Sequence, residues 1–142
     1  MADVRLEREF AVTPEKLFRF VSGSSELVAW FGPEGTTVPD NKLDFTRLGP
    51  WYAVMMGSDG PVAKVSGQVT HVNAPHSVGF TWAWHDDSDA RGVESHVTFT
   101  VEPCPTGARL VIDHRELSTE DAAANHARGW TSSLVKLTAA LA

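Results

Sequence analysis

From Ala123 to Leu141 the residues Ala123, Ala127, Trp130, Leu134, Leu137 and Leu141 recur at alternating spacings of four and three. That spacing puts one apolar stripe along a long C-terminal helix, and a stripe of this length must be covered by something. The stretch "STED" at Ser118 to Asp121 reads as a capping box of the Ser-x-x-acid kind that starts the helix. Between Gly35 and Leu117 the chain offers only short β-patterned runs separated by turn signals such as Pro39-Asp40-Asn41, Gly49-Pro50, Ser58-Asp59-Gly60 and Asn73-Ala74-Pro75. The connections are too short for crossover helices, so six antiparallel strands are expected there. The helix is therefore expected to cover the apolar face of a curved sheet.

The N-terminal part fits the same plan. In "DVRLEREFAV" the apolar Val4, Leu6, Phe10 and Val12 share one parity, which predicts a half-buried first strand interrupted only by Arg8. "TPEKLFRFV" predicts a short helix with Thr13 as N-cap and Pro14 at its first position. "SELVAWF" predicts a second, ended by Gly32-Pro33. The expectation is one α+β domain spanning residues 1–142, with about seven antiparallel strands, two short helices after strand 1 and a long C-terminal helix.

Composition narrows the function classes. A net charge of −6 with no basic cluster disfavours nucleic acid and anionic membrane as partners. No run reaches the ~20 apolar residues of a membrane span, the N-terminus lacks a signal-peptide core, and the single Cys104 forms no internal disulfide. A cytoplasmic protein, monomeric or homodimeric, is expected. Five tryptophans and seven phenylalanines are a heavy aromatic load, usable in a core or in a ligand pocket.

Strand parity sorts these aromatics. In "SVGFTWAWH" Val78, Phe80, Trp82 and Trp84 face one way, while Thr81, Ala83 and His85 face the other. Pairing consecutive strands as hairpins sets Trp82 opposite Ser95, Phe80 opposite Val97, and Val97 opposite His114. Phe80, Trp82, Ser95, Val97, Phe99 and His114 then gather under a helix carrying Trp130 and Leu134. A large apolar surface with a few convergent polar groups is the usual make-up of a small-molecule pocket. Tyr52, Val54 and Met56 are expected to extend its wall, and Trp30 and Phe31 to sit at its mouth. The alternative is a plain core, with His114 hydrogen-bonded to a neighbour.

Other chemistry is weaker. His85, Asp86 and Asp87 read as the solvated start of a turn, since adjacent side chains diverge and no second cluster supplies metal ligands. Ser95, Asp113 and His114 do not make a triad, because Asp113 and His114 point to opposite faces. Glu94 and His96 read as a surface pair. No phosphate-cradling glycine loop occurs, and no cofactor is expected.

The element order and the stretches "WFGPEG" (Trp30 to Gly35), "GPWYAVMMGSDG" (Gly49 to Gly60), "VSGQVTHVNAPHSVGFTWAW" (Val65 to Trp84), "ESHVTFTVEPCPTGARLVIDHREL" (Glu94 to Leu117) and "GWTSSLVKL" (Gly129 to Leu137) resemble the helix-grip (SRPBCC, START-like) superfamily. Within it the chain resembles bacterial domains similar to the C-terminal domain of the heat-shock-protein-90 ATPase activator. The resemblance implies a cavity between sheet and helix for a small apolar ligand, aromatic, lipid or polyketide-like, bound without catalysis. It also implies two alternatives: a stress-response module acting on a chaperone or regulator, and a cyclase- or hydratase-type enzyme using His114.

Overall fold

The computed structural model describes residues 1–142. The elements run β1 (Ala2–Phe10), α1 (Pro14–Ser22), α2 (Ser24–Leu27), β2 (Thr37–Asn41), β3 (Gly49–Gly57), β4 (Gly60–Asn73), β5 (Ser77–Trp84), β6 (Ser95–Cys104), β7 (Gly107–Leu117) and α3 (Glu120–Leu141). All seven strands form one antiparallel sheet in the order β1-β7-β6-β5-β4-β3-β2. Every step but one joins strands consecutive in sequence; only β1 crosses over to pair with β7. This is the α+β helix-grip arrangement expected from the sequence.

The hairpin register is also the expected one. Phe80 lies opposite Val97, Trp82 opposite Ser95, and Val97 opposite His114. At the far end of β7 the pairing slips: Ala2 faces Leu117 while Val4 faces His114, so β7 carries one extra residue. Glu116 absorbs it with φ +66 and donates its N–H to Asp3 Oδ1. His114 and Leu117 both end up buried.

Two helical expectations shift. The cap of α3 is Thr119, whose hydroxyl accepts from the Ala122 N–H, so the box starting at Ser118 does not form. Both hydroxyls precede an acidic first turn, and only the backbone geometry separates them. The predicted "SELVAWF" helix is regular only over Ser24–Leu27; Trp30 and Phe31 follow in a turn whose amides both reach the Leu27 carbonyl. Gly32, at φ +94 before Pro33, then turns the chain away after Phe31.

The third correction concerns β3. Trp51, Ala53 and Met55 face the core, whereas Tyr52, Val54 and Met56 face away from it. "WYAVMM" is apolar at almost every position, so alternation cannot phase it. The structure phases it through Tyr52, which needs water or a partner for its hydroxyl and finds Asp40 Oδ1 at 2.6 Å on the outer face.

Much of the space under α3 is solid. Trp30, Phe31, Phe45, Trp51, Phe80 and Phe99 are buried and in mutual ring contact, with Phe45 stacked on Phe80 at 4.3 Å. Each such ring contributes about 1.5–3 kcal/mol by leaving water. The backbone of α3 approaches β1 and β7 most closely. On its other side large side chains hold it away from β3 to β5, and a cavity opens there.

Candidate functional site

The cavity measures about 250 Å³ and is walled by Phe31, Met55, Trp82, Trp84, His126 and Trp130, with Val62 and Ala63 of β4 at its edge. Its rings touch one another: Trp82 lies 5.3 Å from Trp130 and 5.2 Å from Trp84, and Phe31 lies 5.9 Å from Trp82. Phe31 is held in place from two sides. Gly32 permits the turn beside it, and α3 latches the following loop through Lys136 Nζ, which donates to the carbonyls of Gly32 and Thr36 at 3.1 and 3.0 Å. Ser132 Oγ adds a bond from the Glu34 N–H at 2.8 Å.

A second, more polar cavity of about 340 Å³ lies beside the first, reaching Ser95, Glu116 and Leu117. Trp82, Trp84, Asn125 and His126 belong to the walls of both. The partition is a stacked pair, Trp84 on His126, with the Trp84 Nε1–H donating to His126 Nε2 at 3.3 Å.

Behind this wall runs a buried polar chain. Trp130 Nε1 donates to His114 Nδ1 at 3.1 Å, and His114 Nε2 meets Ser95 Oγ at 2.7 Å. An indole N–H can only donate, so Nδ1 is the acceptor and the proton sits on Nε2. His114 then donates to Ser95, whose hydroxyl reaches the Trp82 carbonyl at 3.4 Å. The imidazole is fully buried, and desolvation followed by repulsion from His126 and His96 pushes its pKa down to about 3. Burial also lowers His126, to about 4. Both rings are neutral at pH 7.

One donor near the cavities has no partner: Trp82 Nε1 is buried and makes no hydrogen bond. Such a group costs roughly 1–3 kcal/mol unless something accepts from it.

The residues expected from sequence divide accordingly. Phe31, Trp82, Trp84 and Trp130 line the first cavity, and Trp82, Trp84 and Ser95 the second. Phe80, Val97, Phe99 and Leu134 are in the filled core, and His114 stands behind the wall. Trp30, expected at the mouth, is fully buried and bonds the Phe20 carbonyl through Nε1 at 2.8 Å. Tyr52, Val54 and Met56 lie on the wrong face, and Met55 takes their place. His126, one helical turn before Trp130 and on the same face, is a wall residue that the apolar stripe does not reveal.

On the outer face, Asp86 and Asp87 are exposed as expected, but His85 is not a solvated side chain: it is clasped by Ser66 and Asp89. Glu94 and His96 do not pair; Glu94 binds Arg91 and His96 binds Glu116. No three His, Cys, Asp or Glu side chains converge as a metal-holding group, and no helix is long and apolar enough to cross a membrane.

Residues 11–142 match the family described as activator of Hsp90 ATPase homolog 1-like protein. The chain belongs to that family. Among solved structures, the AHSA1 protein of Silicibacter pomeroyi is 62% identical over 97% of this chain and 96% of its own, with a TM-score of 0.94. A Chromobacterium violaceum protein at 22% identity, over 98% of this chain and 96% of its own, gives a TM-score of 0.84. A Mesorhizobium loti protein, also at 22%, over 99% of this chain and 96% of its own, gives 0.79. The last two show a shared fold. No significant match occurs among curated proteins.

Proposed function

We propose that this member of the activator-like family binds a small, uncharged aromatic ligand carrying a hydrogen-bond acceptor, without catalysis, in the cavity between sheet and α3. The observation that carries the reading is an aromatic-walled space of about 250 Å³ lined by Trp82, whose indole N–H is buried without a partner. That volume lies just below the range of about 300 to 1,000 Å³ usual for ligand pockets and suits a two-ring compound. No Lys or Arg lines it and its histidine is neutral, so a carboxylate would lose its hydration without gaining a counter-charge. A ketone or quinone oxygen accepts from Trp82 at far lower desolvation cost.

His114 supports no acid/base role here. Both its nitrogens are engaged, and its depressed pKa removes it from proton exchange at neutral pH. A second reading, a module that docks on an Hsp90-type ATPase, draws on the family description and on the exposed Val62, Trp84 and Val93 around the openings. Stimulation of such an ATPase by the purified protein is the observation that would carry it.

Calorimetric titration with a naphthoquinone and with naphthalene tests the ligand reading. Both are expected to bind, and Trp82→Phe, which keeps an aromatic side chain but removes the N–H, is expected to weaken the quinone about tenfold more than it weakens naphthalene. Failure of every neutral two-ring compound to bind overturns the reading.

A further inference from the structure

The outer face of the sheet carries a second constellation, unconnected with the cavities. Ser66 on β4 places Oγ 2.7 Å from His85 Nε2, and His85 Nδ1 lies 2.8 Å from Asp89 Oδ1 and 3.2 Å from the Asp89 carbonyl. Carboxylate and carbonyl oxygens only accept, so Nδ1 carries the ring proton and Nε2 presents a lone pair. The Ser66 hydroxyl must therefore donate to Nε2. This is the donor order a histidine needs to take a proton from a serine.

The local chain is built to hold it. His85 forms an isolated bridge with Arg91, and between them Asp86 ties the turn by accepting the N–H groups of Ser88 and Ala90 at Oδ1. Asp89 adopts φ +66, the left-handed conformation that an aspartate tolerates better than most residues, and this turns both its carboxylate and its carbonyl toward the imidazole. Lys64 Nζ, 3.1 Å from Asp89 Oδ1, helps keep that carboxylate ionised; the hydrogen bonds from Lys64 and then His85 hold it below the usual range.

Arg91 completes the arrangement. Its Nε donates to Ser66 Oγ at 3.0 Å and its Nη2 to the Ser66 carbonyl at 3.1 Å. A hydroxyl has one proton and two lone pairs. With the proton given to His85 and one lone pair facing Arg91, one lone pair remains for attack. A guanidinium fixed at this oxygen also faces the negative charge of a tetrahedral intermediate. Beside it opens a groove of about 270 Å³ lined by Tyr52, Lys64, Ser66, Gln68, His85 and Arg91, large enough for a short acyl group.

We propose that Ser66, His85 and Asp89 form an acyl-transfer site that hydrolyses small carboxylic esters. Ser66 Oγ bonds to the ester carbonyl carbon while its proton passes to His85 Nε2. The carbon–oxygen bond to the alcohol breaks, and His85 returns the proton to the departing alkoxide. Water then attacks the acyl-serine, giving a proton to His85, and the Ser66 oxygen leaves with that proton as the carboxylic acid is released. Ser66 and His85 are the catalytic residues, Arg91 binds the oxyanion, and Asp89 is a positioning residue that fixes the tautomer of His85.

Diisopropyl fluorophosphate tests the nucleophile directly. The Ser66 oxygen–phosphorus bond forms, the phosphorus–fluorine bond breaks, and fluoride and the serine proton are released. Peptide mapping of the treated wild-type protein is expected to find one adduct, on Ser66, a result that does not depend on any variant folding. Hydrolysis of p-nitrophenyl acetate is expected to fall at least about a hundredfold in Ser66→Ala and in His85→Gln. Asp89→Asn is expected to lower kcat with KM unchanged, a split that loss of a merely structural contact would not produce. A folded protein whose Ser66 stays unmodified in excess reagent, or ester hydrolysis unchanged in Ser66→Ala, overturns the proposal.

Discussion

At the scale of single residues, the buried chain from Trp130 through His114 to Ser95 makes stability depend on pH. Folded His114 titrates near pH 3 and His126 near pH 4, whereas an unfolded histidine titrates near 6.5. Below pH 6.5 the unfolded chain therefore binds protons that the folded chain refuses. The stabilisation is complete above that pH and is lost as pH falls toward the folded values, at up to about 1.4 kcal/mol per pH unit for His114 and less for the part-exposed His126. Denaturant titrations at pH 7, 5.5 and 4.5 should show this slope. His114→Gln should be less stable at pH 7 by roughly 1–3 kcal/mol, because Ser95 and Trp130 lose an ideal partner. It should also lose one histidine's share of the slope. That Ser95 and His114 share the concave face was legible in the sequence, because parity and hairpin register together place both there. The clasp on His85 was not: it depends on a left-handed Asp89, which no local pattern announces.

At the scale of elements, two close fits carry predictions. Thr119→Ala should cost about 1 kcal/mol by uncapping α3, while Ser118→Ala should cost almost nothing, measured by chemical denaturation. Gly67 sits opposite Trp51 on the neighbouring strand, and a Cβ added there would lie 1.9 Å from the Thr81 carbonyl oxygen, the same oxygen that accepts Trp51 Nε1–H at 3.2 Å. Gly67→Ala should therefore destabilise the sheet by several kcal/mol, on the order of the largest single-site effects, and lower the melting temperature sharply. β1, β5, β6, β7 and the long helix were readable because their apolar periods are clean. β3 was mis-phased because a run apolar on both faces has no period. The site inherited that error through Tyr52, Val54 and Met56, and it missed His126 because a polar residue does not register in an apolar stripe.

For the whole molecule, α3 is pressed to the β1–β7 side of the sheet and propped away from the other by aromatic side chains, leaving two cavities and a thin partition between them. Trp84 is that partition, and it is 39% exposed. Trp84→Ala should join the cavities, admit three-ring compounds that the wild type excludes in calorimetric titration, and change stability by no more than about 1–2 kcal/mol. The five tryptophans are thereby sorted into two optical populations. Trp30 and Trp51 are buried away from the cavity, whereas Trp82, Trp84 and Trp130 face the space a ligand would fill. An occupant would lie directly against the second group, so the protein carries its own unlabelled fluorescence gauge of whether that space is full.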